Sequence, residues 1–360
     1  MTDTRPVLIM AGGTGGHIFP GLAVAEVLRA EGVPVTWLGA AGGLETRLVP
    51  QRGIALETVS IGGVRGKGLA TRLLAPWRLL RAVVAAWGVL RRIRPRSVLS
   101  LGGYAAGPGG LAAWLSHRPL VVQEQNRVPG MTNRMLARLA RRVLAGFADA
   151  FPPALNAEWT GNPVRADIAA LPSPEARFAD RRGAIRLLVL GGSLGARALN
   201  LGVPTALAGM PVDQRPEVRH QSGARGLEEA RSAYGQAGVQ AHVEAFIEDM
   251  ADAWAWADLV VCRAGALTLA EIAAVGIGSV LVPYPHAVDD HQTRNAEALV
   301  AVGAAHLIPE AELDAARLRA CLEQLVSDRA GLLAMAVAAR RQARPDAAAL
   351  IAARCLEVAA

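Results

Sequence analysis

Val7-Leu8-Ile9-Met10-Ala11-Gly12-Gly13-Thr14-Gly15-Gly16-His17 opens the chain and decides its fold. Five apolar residues in succession do not alternate, so they do not suit a sheet with one wet face. A short, unbroken apolar run suits a strand buried on both sides, as in a parallel sheet. Glycines then turn the chain, and Ile18 to Arg29 has the apolar spacing of a helix. Working outward, the same rhythm recurs. Runs at Val33–Leu38, Val98–Leu101, Leu120–Val122, Leu187–Leu190, Leu259–Val261 and Ser279–Val282 alternate with helical patterns, and several end in glycine. That alternation predicts α/β architecture with parallel sheets and crossover helices. Leu187-Leu188-Val189-Leu190-Gly191-Gly192-Ser193-Leu194-Gly195 echoes the opening stretch at an offset of 179 residues. Two Rossmann-like lobes, each opening on the same unit, explain the echo; two ordinary βα turns are the plain alternative.

A chain of 360 residues suits two such lobes. The segment Gly161–Ser173, with Pro163, Pro172 and a Gly-Asn-Pro turn, reads as a connector. The expected organisation is a first lobe over 1–160, a second over 161–344 and a last helix over 345–360. Pro345 suits a first helical turn. Cys262, Cys321 and Cys355 have no zinc-like spacing. No leader pattern is visible at the N-terminus. The uncharged apolar stretches Ala82–Leu90 and Ile272–Pro285 fall short of the roughly 20 residues a spanning helix needs. The expectation is a cytoplasmic protein, soluble or bound to a membrane surface.

Charge is divided unevenly. Residues 1–160 hold 19 Lys and Arg against 8 Asp and Glu, whereas 161–360 hold 19 against 23. Between Glu57 and Glu124 there is no acidic residue, but there are ten basic ones, Arg72, Arg78 and Arg81 among them. A one-signed field predicts an anionic partner: nucleic acid, phospholipid or a phosphorylated substrate. Leu69, Leu73, Trp77, Leu80, Val84 and Trp87 recur at helical spacing within this basic stretch, and Trp114 lies in another segment. Such a stripe suits an anionic membrane surface, with Leu73, Trp77, Leu80, Arg72 and Arg81 as its contacts. The alternative is an ordinary core-facing helix with a solvated basic back.

The glycine turns carry the chemistry. After a strand, Gly12–His17 lets a ligand approach the backbone and aims helix N–H groups at an anion. The dinucleotide pattern GxGxxG fails at Ile18, and Gly39 rather than an acid follows Leu38, which argues against an NAD enzyme. His17 caps or packs the helix, or acts as a general base. A second turn, Gly102–Gly110, follows the Val98–Leu101 strand, and Glu124-Gln125-Asn126 leaves the next. Strand C-termini are where α/β proteins bind ligands, and a cleft between lobes is the default site. In the second lobe, Gly191–Arg197 repeats the phosphate cradle. Glu271, within the helical pattern after Arg263-Ala264-Gly265, offers a carboxylate to a ribose diol or simply faces solvent.

Seven motifs stand in order: GGTGGH, GGYAAGPGG, EQN, TGNPVR, GGSLGARALN, CRAGALTLAEI and DDHQTRNA. Together they resemble the MurG family of bacterial GlcNAc transferases over nearly the whole chain. The resemblance implies the GT-B fold and inverting transfer of GlcNAc from UDP-GlcNAc to lipid I, giving lipid II and UDP in peptidoglycan synthesis. It implies a peripheral enzyme on the cytoplasmic face of the plasma membrane. Carried over position by position, it places donor contacts at Thr14, Gly15, Gly16, Asn126, Arg165, Ser193, Ile247, Ala266, Leu267, Thr268, Leu269, Ala270, Glu271 and Gln292. It gives the first lobe to acceptor and membrane, the second to UDP-GlcNAc, and returns the last helix toward the first lobe. Gly103, Tyr104 and Gly107 are expected at the acceptor or diphosphate. The family often reads His-Glu-Gln-Asn where this chain has Gln123-Glu124-Gln125-Asn126, so position 123 supplies no base. His17 is then the first choice of base and Glu124 the second. No DxD triplet is present, and neither metal nor cofactor is expected. A nucleic-acid-binding protein is the rival class; it leaves the glycine turns unexplained, and no nucleic-acid partner is expected. Within the enzyme class, the alternative is a related glycolipid transferase with another acceptor.

Overall fold

A computed structural model of the chain describes residues 4–61, 75–192 and 195–359, the side chain of Val288 apart. It divides into two compact units, Met1–Pro163 with Arg344–Ala360, and Val164–Ala343.

The first unit is built on seven parallel strands: β1 (Val7–Ala11), β2 (Val35–Ala40), β3 (Ala55–Val59), β4 (Ser97–Gly102), β5 (Leu120–Glu124), β6 (Arg142–Ala145) and β7 (Glu158–Trp159). Their spatial order is β3-β2-β1-β4-β5-β6-β7. The unbroken apolar run of β1 serves both faces. Val7, Ile9 and Ala11 join one core cluster, Leu8 and Met10 the other. The first cluster lies under the helix Gly15–Ala30 and the second under the helices Ala75–Ile93 and Ala106–Leu115. Gly21 of the first helix lies so close to the sheet that a Cβ there would press on Trp37 and Leu101.

The chain returns to this unit at its end. In the helix Ala347–Glu357, the residues Ile351, Ala352 and Cys355, with Val358 just beyond, are buried in the same core as Ile18 and Leu22. Burial pushes the Cys355 thiol up to about 12. Arg354 donates to both oxygens of Glu158 at 2.7 Å, and that pairing holds the Glu158 carboxyl below the usual carboxylate range. Arg344 lies 3.7 Å above the Trp159 ring.

The second unit has six parallel strands: β8 (Arg186–Leu190), β9 (Glu217–Gln221), β10 (His242–Glu244), β11 (Leu259–Cys262), β12 (Gly278–Leu281) and β13 (Ala305–Leu307). Their order is β10-β9-β8-β11-β12-β13. β8 occupies the place in its sheet that β1 occupies in the other, and the sequence echo falls on these two strands. In each sheet the strand order reverses beside them, between β1 and β4 and between β8 and β11. Ligands of open α/β sheets bind outside the strand C-termini at such switch points. Two late helices, Ala315–Ser327 and Arg329–Arg340, start on aspartates: Asp314 accepts from Arg317 N–H at 2.7 Å and Asp328 from Gly331 N–H at 2.8 Å.

A buried polar chain ties β9 to the helix Arg197–Ala208. The Tyr234 hydroxyl donates to His220 Nδ1 at 2.9 Å. His220 Nε2 in turn donates to Asn200 Oδ1 at 3.1 Å, and Asn200 Nδ2 to the Ser222 carbonyl at 3.1 Å. The amide oxygen only accepts, which fixes the proton on Nε2. Burial drives the His220 pKa from 6.5 to about 4, so the ring is neutral in the fold. Between those values the unfolded chain binds a proton that the folded chain does not, and stability is lost as pH falls from 6.5 toward 4. His220→Gln should therefore remove roughly 3 kcal/mol of that acid-side loss. Urea unfolding at neutral and mildly acid pH measures it; an unchanged pH slope in the variant would count against this account.

Candidate active site

In the first unit, the turns after β1 and β4 lie against each other at the switch point. Gly103 has φ +94°, and a Cβ on it would overlap the Gly12 carbonyl. Only glycine permits both that conformation and that approach. Gly102, at φ +105°, lies between two side chains: its Cβ would stand 3.1 Å from His17 Nε2 and 3.4 Å from Asn133 Nδ2. The Gly15–Ala30 helix begins after Thr14 with no side-chain cap and no acidic residue in its first turn. Its early N–H groups therefore remain for an anion.

His17 is part-exposed in that first turn. Its Nδ1 lies 3.1 Å from the Gly12 carbonyl and 3.3 Å from Thr14 Oγ1. A carbonyl only accepts, so the neutral ring carries its proton on Nδ1 and its lone pair on Nε2, the nitrogen beside Gly102.

Glu124 ends β5 and is buried. Its Oε1 accepts from the Asn126 backbone N–H at 2.9 Å and from Asn126 Nδ2 at 3.2 Å. Its Oε2 accepts from Gly130 N–H at 3.1 Å and Asn133 Nδ2 at 3.0 Å. Four donors thus hold this carboxylate. Behind it, Gln125 Nε2 donates to Gln123 Oε1 at 2.6 Å, Gln123 Nε2 to Asn162 Oδ1 at 3.1 Å, and Asn162 Nδ2 to the Gln125 carbonyl at 2.9 Å. Position 123 is therefore a brace. Tyr104 is exposed beside the glycine turn, and Gly107 lies one residue into the Ala106–Leu115 helix.

One member of this turn escaped the sequence reading. Glu45, fully buried, accepts from Ala40 N–H at 2.8 Å through Oε1 and from Gly13 N–H at 3.1 Å through Oε2. Its only sequence signal is the run of glycines at 12, 39 and 43, each of which would overlap it with a Cβ.

In the second unit, the turn after β8 keeps Gly192 and Gly195 at positive φ, and a Cβ on Gly195 would overlap the Ser222 carbonyl. Ser193 lies outside the described residues. Ile247 is buried and donates its N–H to Gln221 Oε1 at 3.0 Å. After β11, Gly265 stands at the N-terminus of the helix Ala266–Val275 without a side-chain cap, so the N–H groups of Ala266, Leu267 and Thr268 head an open helix end. Leu269 is buried and Ala270 partly so.

Glu271, in the second turn of that helix, lies 3.6 Å from Arg165. Burial pushes its pKa up, while the nearby Arg165 pulls the other way. Gln292 Oε1 accepts from Tyr284 N–H at 2.9 Å. Arg263 donates to the carbonyls of Val282 and Pro283 at 3.1 Å each and pairs with Glu310. These bonds order the loop after β12. Asp258, another buried carboxylate, precedes β11 at the opposite edge of the sheet, beside Arg181 and Arg329.

The basic stripe is only partly described, since Leu69, Arg72 and Leu73 lie outside the described residues. In the helix Ala75–Ile93, Ala82, Val83, Ala86, Val89 and Leu90 face the core. Trp77, Leu80 and Val84 are 60%, 52% and 58% exposed, and Trp87 shares their face. Trp114 and Leu115, at the end of a helix packed on this one, are exposed too. No helix among the described residues is long and apolar enough to cross a membrane.

These features can be set beside known proteins. The model for the glycosyltransferase family 28 N-terminal domain matches residues 7–145, and that for the family 28 C-terminal domain matches 186–351. The UDP-N-acetylglucosamine–N-acetylmuramyl-(pentapeptide) pyrophosphoryl-undecaprenol N-acetylglucosamine transferase of Alkalilimnicola ehrlichii is 59% identical over 99% of both chains. The protein of the same name from Xanthomonas euvesicatoria is 62% identical over 97% of this chain and 80% of its own. The crystal structure of Acinetobacter baumannii MurG superimposes with a TM-score of 0.86 at 38% identity, over 98% of this chain and 99% of that one. With its paired parallel sheets of matching strand order, this chain has the GT-B fold and belongs to the MurG family of glycosyltransferases.

Proposed function

We propose that this chain transfers GlcNAc from UDP-GlcNAc to lipid I (undecaprenyl-pyrophosphoryl-MurNAc-pentapeptide) with inversion, releasing lipid II and UDP. The observation that carries this reading is identity near 60% with transferases of that name along almost the entire chain. In our reading the second lobe takes the donor. Glu271 accepts from the ribose diol, Arg165 and Gln292 flank it, and Ser193, Ile247 and the helix end at Ala266–Ala270 complete the nucleotide and diphosphate contacts. From the first lobe, Thr14, Gly15, Gly16 and Asn126 reach the same donor. Gly103, Tyr104 and Gly107 take the acceptor side.

In an inverting step the acceptor hydroxyl attacks the anomeric carbon as UDP leaves, and negative charge grows on the departing diphosphate. Backbone N–H groups aimed at that charge stabilise the transition state, each by about 2.7–4 kcal/mol in comparable sites. The proton of the attacking hydroxyl needs a base. His17 suits that role because its Nδ1 is committed to the Gly12 carbonyl, which leaves Nε2 as the lone-pair nitrogen. Glu124 is less suited: four N–H donors already occupy it, and it positions Asn126 instead.

UDP release is the direct test. It should require a lipid I analogue and should favour UDP-GlcNAc over UDP-Gal; release with other glycolipid acceptors alone would point to a related transferase. In the same assay, His17→Ala should lower kcat by roughly 100-fold or more with little change in donor KM. Near-normal turnover would remove His17 as base. Glu271→Ala should raise donor KM, and an unchanged value would count against the ribose contact.

The exposed face at Trp77, Leu80, Val84 and Trp87, with Arg81 beside it and Arg72 and Leu73 just before, is read as the contact with an anionic leaflet. The enzyme is then peripheral, on the cytoplasmic face of the plasma membrane where its substrates meet. Sedimentation with vesicles should show binding to phosphatidylglycerol-rich but not neutral vesicles, weakened by Trp77→Ser with Leu80→Ser. Equal failure on both lipids would favour an ordinary solvated face.

A further inference from the structure

Among the described residues, the mechanism above leaves one buried carboxylate of the first unit unused. Glu45 opens the short helix Glu45–Leu48, 32 residues from Gly13. It is 0% exposed. Its two hydrogen bonds run to backbone N–H groups, of Ala40 at 2.8 Å and of Gly13 at 3.1 Å. The socket around it is lined by glycine: a Cβ at Gly12, Gly39 or Gly43 would overlap its carboxyl arm. Burying a carboxylate is costly unless hydrogen bonds offset it, and three separate positions have given up side chains to admit this one.

The Gly13 N–H and the Gly12 carbonyl belong to the same peptide group. On one side of that group the N–H donates to Glu45 Oε2. On the other, the C=O accepts from His17 Nδ1 at 3.1 Å. A peptide whose N–H meets a carboxylate is polarised toward its oxygen and becomes a better acceptor, because hydrogen bonds in series strengthen one another. We propose that Glu45 is a positioning residue that acts on His17 through the Gly12–Gly13 peptide, holding the imidazole in its Nδ1–H tautomer with Nε2 free to accept a proton. The arrangement does what an orienting carboxylate does when bonded directly to a catalytic histidine, with one peptide plane interposed. The peptide also anchors the turn: the same Gly12 carbonyl lies under Gly103, so carboxylate, peptide, imidazole and second turn are fixed together.

This inference rests on His17 as base, and its test separates the two. The full chain labelled with nitrogen-15 histidine reports the His17 tautomer directly, the resonance being assigned by its loss in His17→Ala. At about pH 8.5, where a free imidazole is neutral and favours Nε2–H, the unsubstituted protein should show Nδ1–H. Finding Nε2–H there overturns the relay. Glu45→Gln keeps the shape, but its one amide oxygen satisfies only one of the two N–H groups. It should shift His17 toward a mixture of tautomers and lower kcat about 10- to 100-fold, with donor KM within about twofold. A role confined to folding would lower stability and leave the tautomer of the folded fraction unchanged. Glu45→Asp keeps the charge on an arm one methylene short; should the glutamine variant not fold, it must show the same mixing. Pure Nδ1–H in either folded variant overturns the relay and leaves His17 as base. Normal turnover in His17→Ala removes the base and leaves the tautomer result standing.

Discussion

The Gly12–Gly13 peptide is the constraint on which the first unit's candidate site depends. Its carbonyl receives the imidazole of His17 and lies under Gly103, and its N–H meets Glu45. None of these partners tolerates much movement. The peptide is where it is because β1 and β4 are neighbours at the point where strand order reverses, so that two turns leave the sheet side by side. A register irregularity between Met10 and Ala11 in the β1–β4 pairing falls at the same place. The topology brings the turns together, the glycines let them touch, and the contact aims the histidine.

The second unit solves a similar problem by different means. Its turn after β8 is pressed against the Ser222 carbonyl, and that residue is held by Asn200, His220 and Tyr234 in a buried series. Here the support is a neutral imidazole rather than a carboxylate. Around Glu271, burial and the nearby Arg165 act in opposite directions on one carboxyl group. Both lobes keep uncapped helix starts at their switch points, at Thr14 and at Gly265, where an anion is the natural complement.

Strands at the sheet centres were legible because both their faces are buried. β1, β4, β5, β8, β11 and β12 appear in the sequence as apolar runs, within a residue or two of their ends. β9 and β10, with Arg219, His220, Gln221 and His242, and β6, which starts at Arg142, lie toward the edges and carry polar residues that mask them. They were missed for that reason. Among the candidate site residues, those on glycine turns could be proposed from the sequence, since a strand–glycine–helix turn leaves backbone N–H groups open to a ligand. Glu45 was invisible. In sequence it is one glutamate at the start of a short helix, and its partners are backbone groups that leave no trace in residue identity. Gly39 stands where a dinucleotide site would end its second strand on an acid, yet Gly39 is one wall of the socket that admits Glu45 from five residues beyond Ala40. The Gln123–Gln125–Asn162 brace was equally hidden, because it depends on pairings 37 to 39 residues apart.

The helix Ala347–Glu357 completes the core begun by Ile18 and Leu22. That has a consequence for how the chain is made. Domains emerge from the ribosome N-terminal end first and commonly fold as they appear. Here the sheet of the first unit is complete by Trp159, but the apolar surface that Ile351 and Cys355 cover waits for nearly two hundred more residues of synthesis. The lobe that is translated first is finished last, and the whole second unit must be threaded out before the first can close its core.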